Sequence, residues 1–395
     1  MTDIVNDSAL AIAKQSAPGS YNAPSSSTDT LPVANLSAKP NSIKATSPEY
    51  TGTIHKAGDI VLGATWDVTF DLLIRGPGGA SPPAANAFII GRVLQALGFT
   101  EQVISSAIPA SPEALGVGST TTMAVLGSSA AGTAALYQAL GLNLASDGGT
   151  YPMQMTMIRA YNASKNATLP ETRVAAPTGN YQIPKQLAYT YSASTTPPLL
   201  SISLWQGNRQ YNFQDMVPSS AKLSFPTSSQ SQTSFATLSV TMSGNLNSYS
   251  DTASPVVTPG SAIPPVRGGK LYVGGLTMGG SSLDLNFGVK VGFPPNPNQA
   301  AGNDPAQLVE TMRTLTMTLN QVAKSYNDLI ALATAQTYLP IELTYGSVAG
   351  NAVGFIVTDA RLDFPAVSAS GDFFAAQVDA LIDNPASTIG LVFPY

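Results

Sequence analysis

The chain has 395 residues, 44% of them hydrophobic and only 10% charged, with a net charge of −5. That apolar content supports a large core and excludes wholesale disorder, and the length fits one large domain with insertions or two domains. The absence of cysteine excludes disulfides, thiolate metal sites and thiol nucleophiles together, and no Lys/Arg-rich run offers a nucleic-acid grip driven by counterion release. The missing charge is replaced by Ser, Thr, Asn and Gln. A surface of this kind costs little to desolvate, which suits a protein covered by copies of itself better than a secreted β-protein with a neutral surface.

Residues 1–47 read as a flexible arm. A short helix over Ala9 to Gln15 leads into Pro18, Gly19, Pro24, Pro32 and Pro40, with too little apolar surface to offset the entropy of ordering. Met1 to Asp7 lacks the basic and apolar segments of a signal peptide, and no apolar run is long enough to span a membrane. Assembly in a host cytoplasm is therefore expected. The globular body is expected over 48–395. Its first strand is the clearest: Trp66, Val68, Phe70, Leu72 and Ile74 alternate with Thr65, Asp67, Thr69 and Asp71. A helix is predicted over Asn86 to Leu97, closed by Gly98, and a weaker one over Thr133 to Leu140, closed by Gly141. Alternation returns at Met153–Met157, Leu200–Leu204, Ala236–Met242, Leu283–Val291 and Ile341–Tyr345, with Gly/Pro/Ser-rich turns between. These runs predict antiparallel sheets and not βαβ units. From Asp304-Pro305, which supplies an N-cap and a first-turn proline, Leu308, Met312, Leu315, Leu319, Val322, Tyr326, Leu329 and Ala333 follow a four-three spacing. That stripe predicts a helix; the competing reading is a strand over Leu315–Leu319, whose threonines disfavour helix.

Candidate chemistry is sparse. His55 is the single histidine, beside a turn at Gly58-Asp59, and no nucleophile-elbow pattern accompanies it. Asp67 and Asp71, four residues apart on one strand face, stand about 13 Å apart at the usual strand rise, too far for paired-carboxylate hydrolysis. Gly268-Gly269-Lys270 lacks the first glycine of a phosphate loop, and Asn296, Asn298, Asn303 and Asp304 do not have calcium-loop spacing. Asn162 and Asn166 head two matches to the glycosylation pattern, which carry no weight without a signal peptide. No enzyme activity, cofactor or metal is expected.

The stretch Gly63-Ala64-Thr65-Trp66-Asp67-Val68-Thr69-Phe70-Asp71-Leu72-Leu73-Ile74-Arg75-Gly76-Pro77-Gly78, followed by Pro82-Pro83 and Arg92 to Glu101, resembles the tail tube (major tail) proteins of long-tailed bacteriophages. Leu204-Trp205-Gln206-Gly207, Phe235 to Gly244, Leu283 to Gly288 and Val357 to Arg361 are similar to later segments of that family, in its order. The resemblance covers about half the chain. It implies a mainly β fold of two packed antiparallel sheets flanked by one or more helices; the stretches near 112–150 and 303–340 depart from the family's pattern and read as insertions. It further implies homohexameric rings in which the inner sheet is extended into a barrel, stacked as a tube that conducts the genome. The partners would be the chain itself and other tail proteins: tail tip, tape measure, tail terminator and, in a contractile tail, a sheath. DNA would be met only in transit, and the location would be the virion tail. Thr65, Asp67, Thr69 and Asp71 are the candidate channel-lining residues, because an acidic or neutral wall repels the DNA backbone. The alternatives are a capsid or decoration protein, and a carbohydrate-binding adhesin module.

Overall fold

The computed structural model describes residues 8–46, 59–147, 155–191, 197–228, 232–257, 260–296, 298, 304, 307–311, 313–320, 323–370 and 373–395. Among the described residues the chain is mainly β, with two α-helices and several antiparallel sheets, and no barrel closes. In the first large sheet eight strands lie side by side. Their order is Ala34–Thr46, Asp59–Leu73, Thr237–Asp251, Arg209–Pro226, Gly280–Asn286, Thr314–Asn320, Phe373–Leu381 and Ala366–Ser370, and every neighbouring pair is antiparallel. Arg209–Pro226 carries bulges near its middle. Its first half therefore turns away to pair with Leu200–Gln206, which pairs in turn with Ser8–Lys14 and then Thr30–Leu31. The second sheet runs Phe99–Ile104, Gln186–Tyr191, Ile389–Pro394, Val353–Leu362, Leu339–Tyr345, Lys270–Val273 and Leu276–Thr277. Val353–Leu362 joins the sheets: Gly354–Val357 belongs to the second, and Arg361 and Leu362 pair with Phe373–Leu381 of the first.

The alternation read from the sequence sets which side is core. Val68, Phe70, Leu72 and Ile74 are fully buried in one core with Tyr189, Phe355, Val357 and Phe393 of the second sheet. Each such side chain contributes about 2 kcal/mol of burial. Helix Ile89–Ala96 closes one end, burying Ile90, Val93 and Leu94. It starts three residues later than expected because Asn86 is held at φ 63° and its N–H donates to Glu101, while Phe88 is extended. The expected glycine stop is present: Gly98, at φ 97°, donates its N–H to the Gln95 carbonyl.

The described residues of 108–147 and 155–183 form a separate layer with its own core of Leu140, Leu142, Met155, Met157, Tyr161 and Tyr181, closed against Ala188, Ile356 and Val392 on the outer face of the second sheet. This layer extends well past the stretch 112–150 in which an insertion is expected.

Four expectations are corrected. Ala9 to Gln15 is not a helix in an arm: Ser8–Lys14 is an interior strand with Leu10 and Ile12 wholly buried, and Ala34–Thr46 is a long edge strand. The alternation of Leu10, Ile12 and small alanines, paired in register with Ile202 and Leu204, overrides alanine's helix preference. Thr133 to Leu140 is a run of turns, with Ala135 and Ala139 at positive φ. The 304–333 stripe is strand over Gln307–Thr311 and Thr314–Asn320, and helix only over Ala323–Ala335. Leu315, Met317 and Leu319 enter the core while Thr314, Thr316 and Thr318 face outward, so period two wins and Thr314–Asn320 is an interior strand. Finally, Leu283–Val291 breaks at Phe287-Gly288 into two strands, Gly280–Asn286 and Val289–Gly292, with Gly288 at φ 54°.

Candidate functional site

The outward side of the eight-strand sheet is the dominant feature. From one edge to the other it presents Ser37, Lys39 and Asn41; Thr65, Asp67, Thr69 and Asp71; Ser239, Thr241 and Ser243; Ser220, Lys222 and Ser224; Ser282, Asp284 and Asn286; Thr314, Thr316 and Thr318; Gln377 and Asp379; then Ser368. Its larger apolar members, Leu73, Pro226 and Leu381, stand at strand ends. Four aspartates against two lysines make this face mildly negative.

The candidate residues Thr65, Asp67, Thr69 and Asp71 all lie on this face, opposite the buried Val68, Phe70 and Leu72. Cross-strand hydrogen bonds hold them. Asn41 Nδ2 and Ser243 Oγ donate to the two oxygens of Asp67, each at 2.5 Å. Asn35 Nδ2 donates to Asp71 at 2.5 Å, and the hydroxyls of Thr69 and Thr241 lie 3.1 Å apart. Farther along, Lys222 Nζ is 3.2 Å from Asp284, and Thr316 Oγ1 donates to Asp379 at 2.7 Å. Small side chains in such pairs stiffen the sheet and leave a flat, wettable surface.

Other faces are covered. Ser201 and Ser203, which alternate with Leu200, Ile202 and Leu204, are wholly buried because Tyr21 and Asn22 of the N-terminal segment lie over them, with Tyr21 Oη 2.9 Å from Ser203 Oγ and the Asn22 N–H donating to Ser201 Oγ. On the second sheet the layer 108–183 buries Glu342, which accepts from the Met157 N–H at 3.0 Å. Burial, and then the neighbouring charge of Glu171, push its carboxyl well above the ordinary range. Glu171 and Asp147 flank Arg173 in the same region, each in an ion pair with it. Sequence reading missed this cluster. Its one signal is a lone Glu in the apolar run Leu339-Pro340-Ile341-Glu342-Leu343.

The remaining candidates resolve into turns and packing. Gly269 approaches the Thr344 carbonyl so closely that a Cβ would overlap it, which explains that glycine without a phosphate. Asn296 Nδ2 donates to Asp304 and its Oδ1 caps the Asn298 N–H. Asn162 Oδ1 caps the N–H groups of Ser164 and Asn166. His55 and Asn303 lie outside the described residues. Trp66 packs on Tyr211 and Phe213, and Trp205 is buried with Ala9 and Ala11, so neither tryptophan offers a sugar-stacking platform. A cleft of 620 Å³ is lined by Pro18, Pro197, Pro198, Leu199, Val217 and Leu308 with the polar residues Gln15, Ser16, Asp304 and Gln307. Among the described residues no group of three His, Cys, Asp or Glu side chains could hold a metal ion, and no helix is long and apolar enough to cross a membrane. No family model matches the chain, and no curated protein matches it.

Proposed function

We propose that this chain is the structural subunit of a phage tail tube, which assembles into stacked homohexameric rings and turns its polar sheet face to the channel. The observation that carries the reading is that face itself: eight strands wide, built from Ser, Thr and Asn, and carrying Asp67, Asp71, Asp284 and Asp379 against Lys39 and Lys222. A wall of this composition stays hydrated and gives a passing phosphate backbone little to bind, because affinity for DNA comes from neutralised phosphates and released counterions. The low overall charge supports extensive contact between copies. In this reading the protein is not an enzyme, needs no cofactor, meets DNA only in transit, and joins a tail tip, tape measure, terminator and, in a contractile tail, a sheath.

Electron microscopy of concentrated protein, with and without a nucleating tail tip, tests this. Hollow stacked rings are expected. Closed shells would favour a capsid or decoration protein, and a species that stays monomeric in both conditions would overturn the reading.

A further inference from the structure

We propose that the cleft beside Arg75 docks the carboxyl terminus of a different partner chain, with the terminal carboxylate on the Arg75 guanidinium and the side chain of an apolar last residue in the cleft. This docking does not depend on the tube reading.

The charge of Arg75 is the first observation. Among the described residues, the other arginines that are not exposed have partners for their charge. Arg92, Arg159, Arg173 and Arg361 each stand in an ion pair, and the Arg313 guanidinium lies 3.9 Å from the centre of the Tyr191 ring. Arg75 is half-buried and has no carboxylate within ion-pair reach among the described residues; its Nη1 donates to the Ser261 carbonyl at 3.1 Å. Burial pulls its pKa below the ordinary guanidinium value. A partly desolvated cation without a counter-charge gains from an anion set against it, and the guanidinium fork matches a carboxylate. The backbone that carries Arg75 is fixed. The Gly76 N–H donates to Asn351 Oδ1 at 3.2 Å, Ser261 Oγ donates to the Gly76 carbonyl at 2.5 Å, and the Gly78 N–H donates to the Gly350 carbonyl at 3.0 Å. A Cβ at Gly76 would overlap the Gly350 carbonyl, so this close approach needs glycine. Arg75 is thus held in place before a ligand arrives, which lowers the cost of binding.

The second observation is the cleft. It has a volume of 200 Å³, and Leu31, Pro32, Leu73, Pro77, Phe88 and Ile89 share its wall with Arg75. That is below the roughly 300–1,000 Å³ of sites for whole small molecules, and suits a single apolar side chain. An open strand edge adjoins it. Thr30–Leu31 lines the same cleft and pairs with Ser8–Lys14 on one side, and its other side has no neighbouring strand among the described residues. An extended peptide adds to such an edge through its backbone while a pocket takes its side chain. The edge therefore selects a peptide over a free fatty acid, which has no backbone to pair.

Fluorescence anisotropy of the full chain with a labelled hexapeptide, Ser-Thr-Ser-Thr-Val-Leu, tests this. The free acid is expected to bind. The same peptide amidated at its carboxyl end, or ending in serine in place of leucine, should bind about tenfold more weakly or worse. Arg75→Gln should bring the free acid down to the level of the amide and leave the amide unchanged, a pattern that loss of folding would not give. Arg75→Lys keeps the charge and loses the fork, so its affinity for the free acid should fall between the two. Equal binding of acid and amide to the wild-type chain, or binding of neither, would overturn the proposal without recourse to a variant. Octanoate that displaces the labelled free acid as well as the unlabelled peptide does would overturn the choice of a peptide.

Discussion

Glu342 gives the sharpest test of how the layer 108–183 is held on the second sheet. Its carboxyl is fully buried; one oxygen accepts from the Met157 N–H at 3.0 Å and the other from the Thr156 hydroxyl at 3.5 Å. Desolvation raises its pKa well above the ordinary 4.5 and Glu171 adds to the shift, while the Met157 N–H, Lys270 and Arg173 oppose it. The folded chain thus holds this proton more tightly than the unfolded chain. The stabilisation is complete below pH 4.5 and is lost as pH rises from there to the folded-state value. Within that window each pH unit costs about 1.4 kcal/mol. Glu342→Gln removes the titration, and the amide oxygen still accepts from Met157. Relative to wild type, the variant should gain nothing near pH 4.5, and the gain should grow as pH rises from there toward neutral. Urea unfolding of both proteins from pH 4.5 to 8 at one fixed protein concentration reads the difference, with hydrogen exchange at the Met157 amide as a local probe. A difference that stays flat with pH, or a variant less stable throughout, would refute the assignment of a buried neutral acid.

The other predictions concern the opposite titration, a close approach, the N-terminal strand and the polar face. Glu113 accepts from the hydroxyl and N–H of Ser128, the Ser129 N–H and the Tyr181 hydroxyl, and the Ser128 hydroxyl leads the pull of its pKa down to about 2. Its contribution is present above pH 4.5 and fades toward pH 2, so Glu113→Gln should lower the protection of the Ser128 and Ser129 amides against hydrogen exchange at neutral pH. Gly244→Val would set a Cβ 2.5 Å from Met216 Sδ and under 3 Å from the Gln214 and Asp215 carbonyls. Backbone has to move there, so a loss of about 2–4 kcal/mol in urea unfolding is expected. Deleting residues 1–14 removes a core strand and opens the edge of Leu200–Gln206, so soluble yield should collapse, whereas removal of a flexible arm would be tolerated. Asp67→Lys with Asp71→Lys turns the face from four aspartates and two lysines to two and four. The fold should survive and assembled tubes should bind DNA in a salt-dependent way, measured by co-sedimentation across a salt series.

What could be read from the sequence follows from which interactions are local. The strand through Trp66, Val68, Phe70, Leu72 and Ile74 declares itself because its buried and solvated residues alternate within one short run. The helix closed by Gly98 declares itself through its stop. Thr314–Asn320 was ambiguous because Leu315, Leu319 and Tyr326 satisfy a helical stripe while Leu315, Met317 and Leu319 satisfy a strand; the pairing of Thr316 with Asp284 and Asp379, both remote in sequence, decides it. Ser201, Ser203 and Glu342 look solvated for the same reason. Whether the second face of a strand meets water depends on Tyr21, Asn22 and Met155–Met157, which no local pattern announces. The polarity of Asp67 and Asp71 was legible; that Lys222, Asp284, Thr316 and Asp379 extend the same face was not.

The division of surfaces argues for how the molecule meets its surroundings. The second sheet is covered on its outer side by the layer 108–183, and the first half of Arg209–Pro226 with Leu200–Gln206 is covered by the N-terminal segment. Among the described residues nothing covers the eight-strand face, although the chain covers its sheets elsewhere. Bare Ser, Thr and Asp side chains incur no desolvation cost in water, so this face is stable as a wetted wall and gains little by being buried. The exposed apolar side chains Phe364, Val367 and Phe374 gather instead at the edge, where backbone N–H and C=O groups also lack a neighbouring strand among the described residues. Burial there would release apolar surface from water and continue the ladder at once. Apolar contact is thus favoured at the rim of the sheet and disfavoured on its polar face.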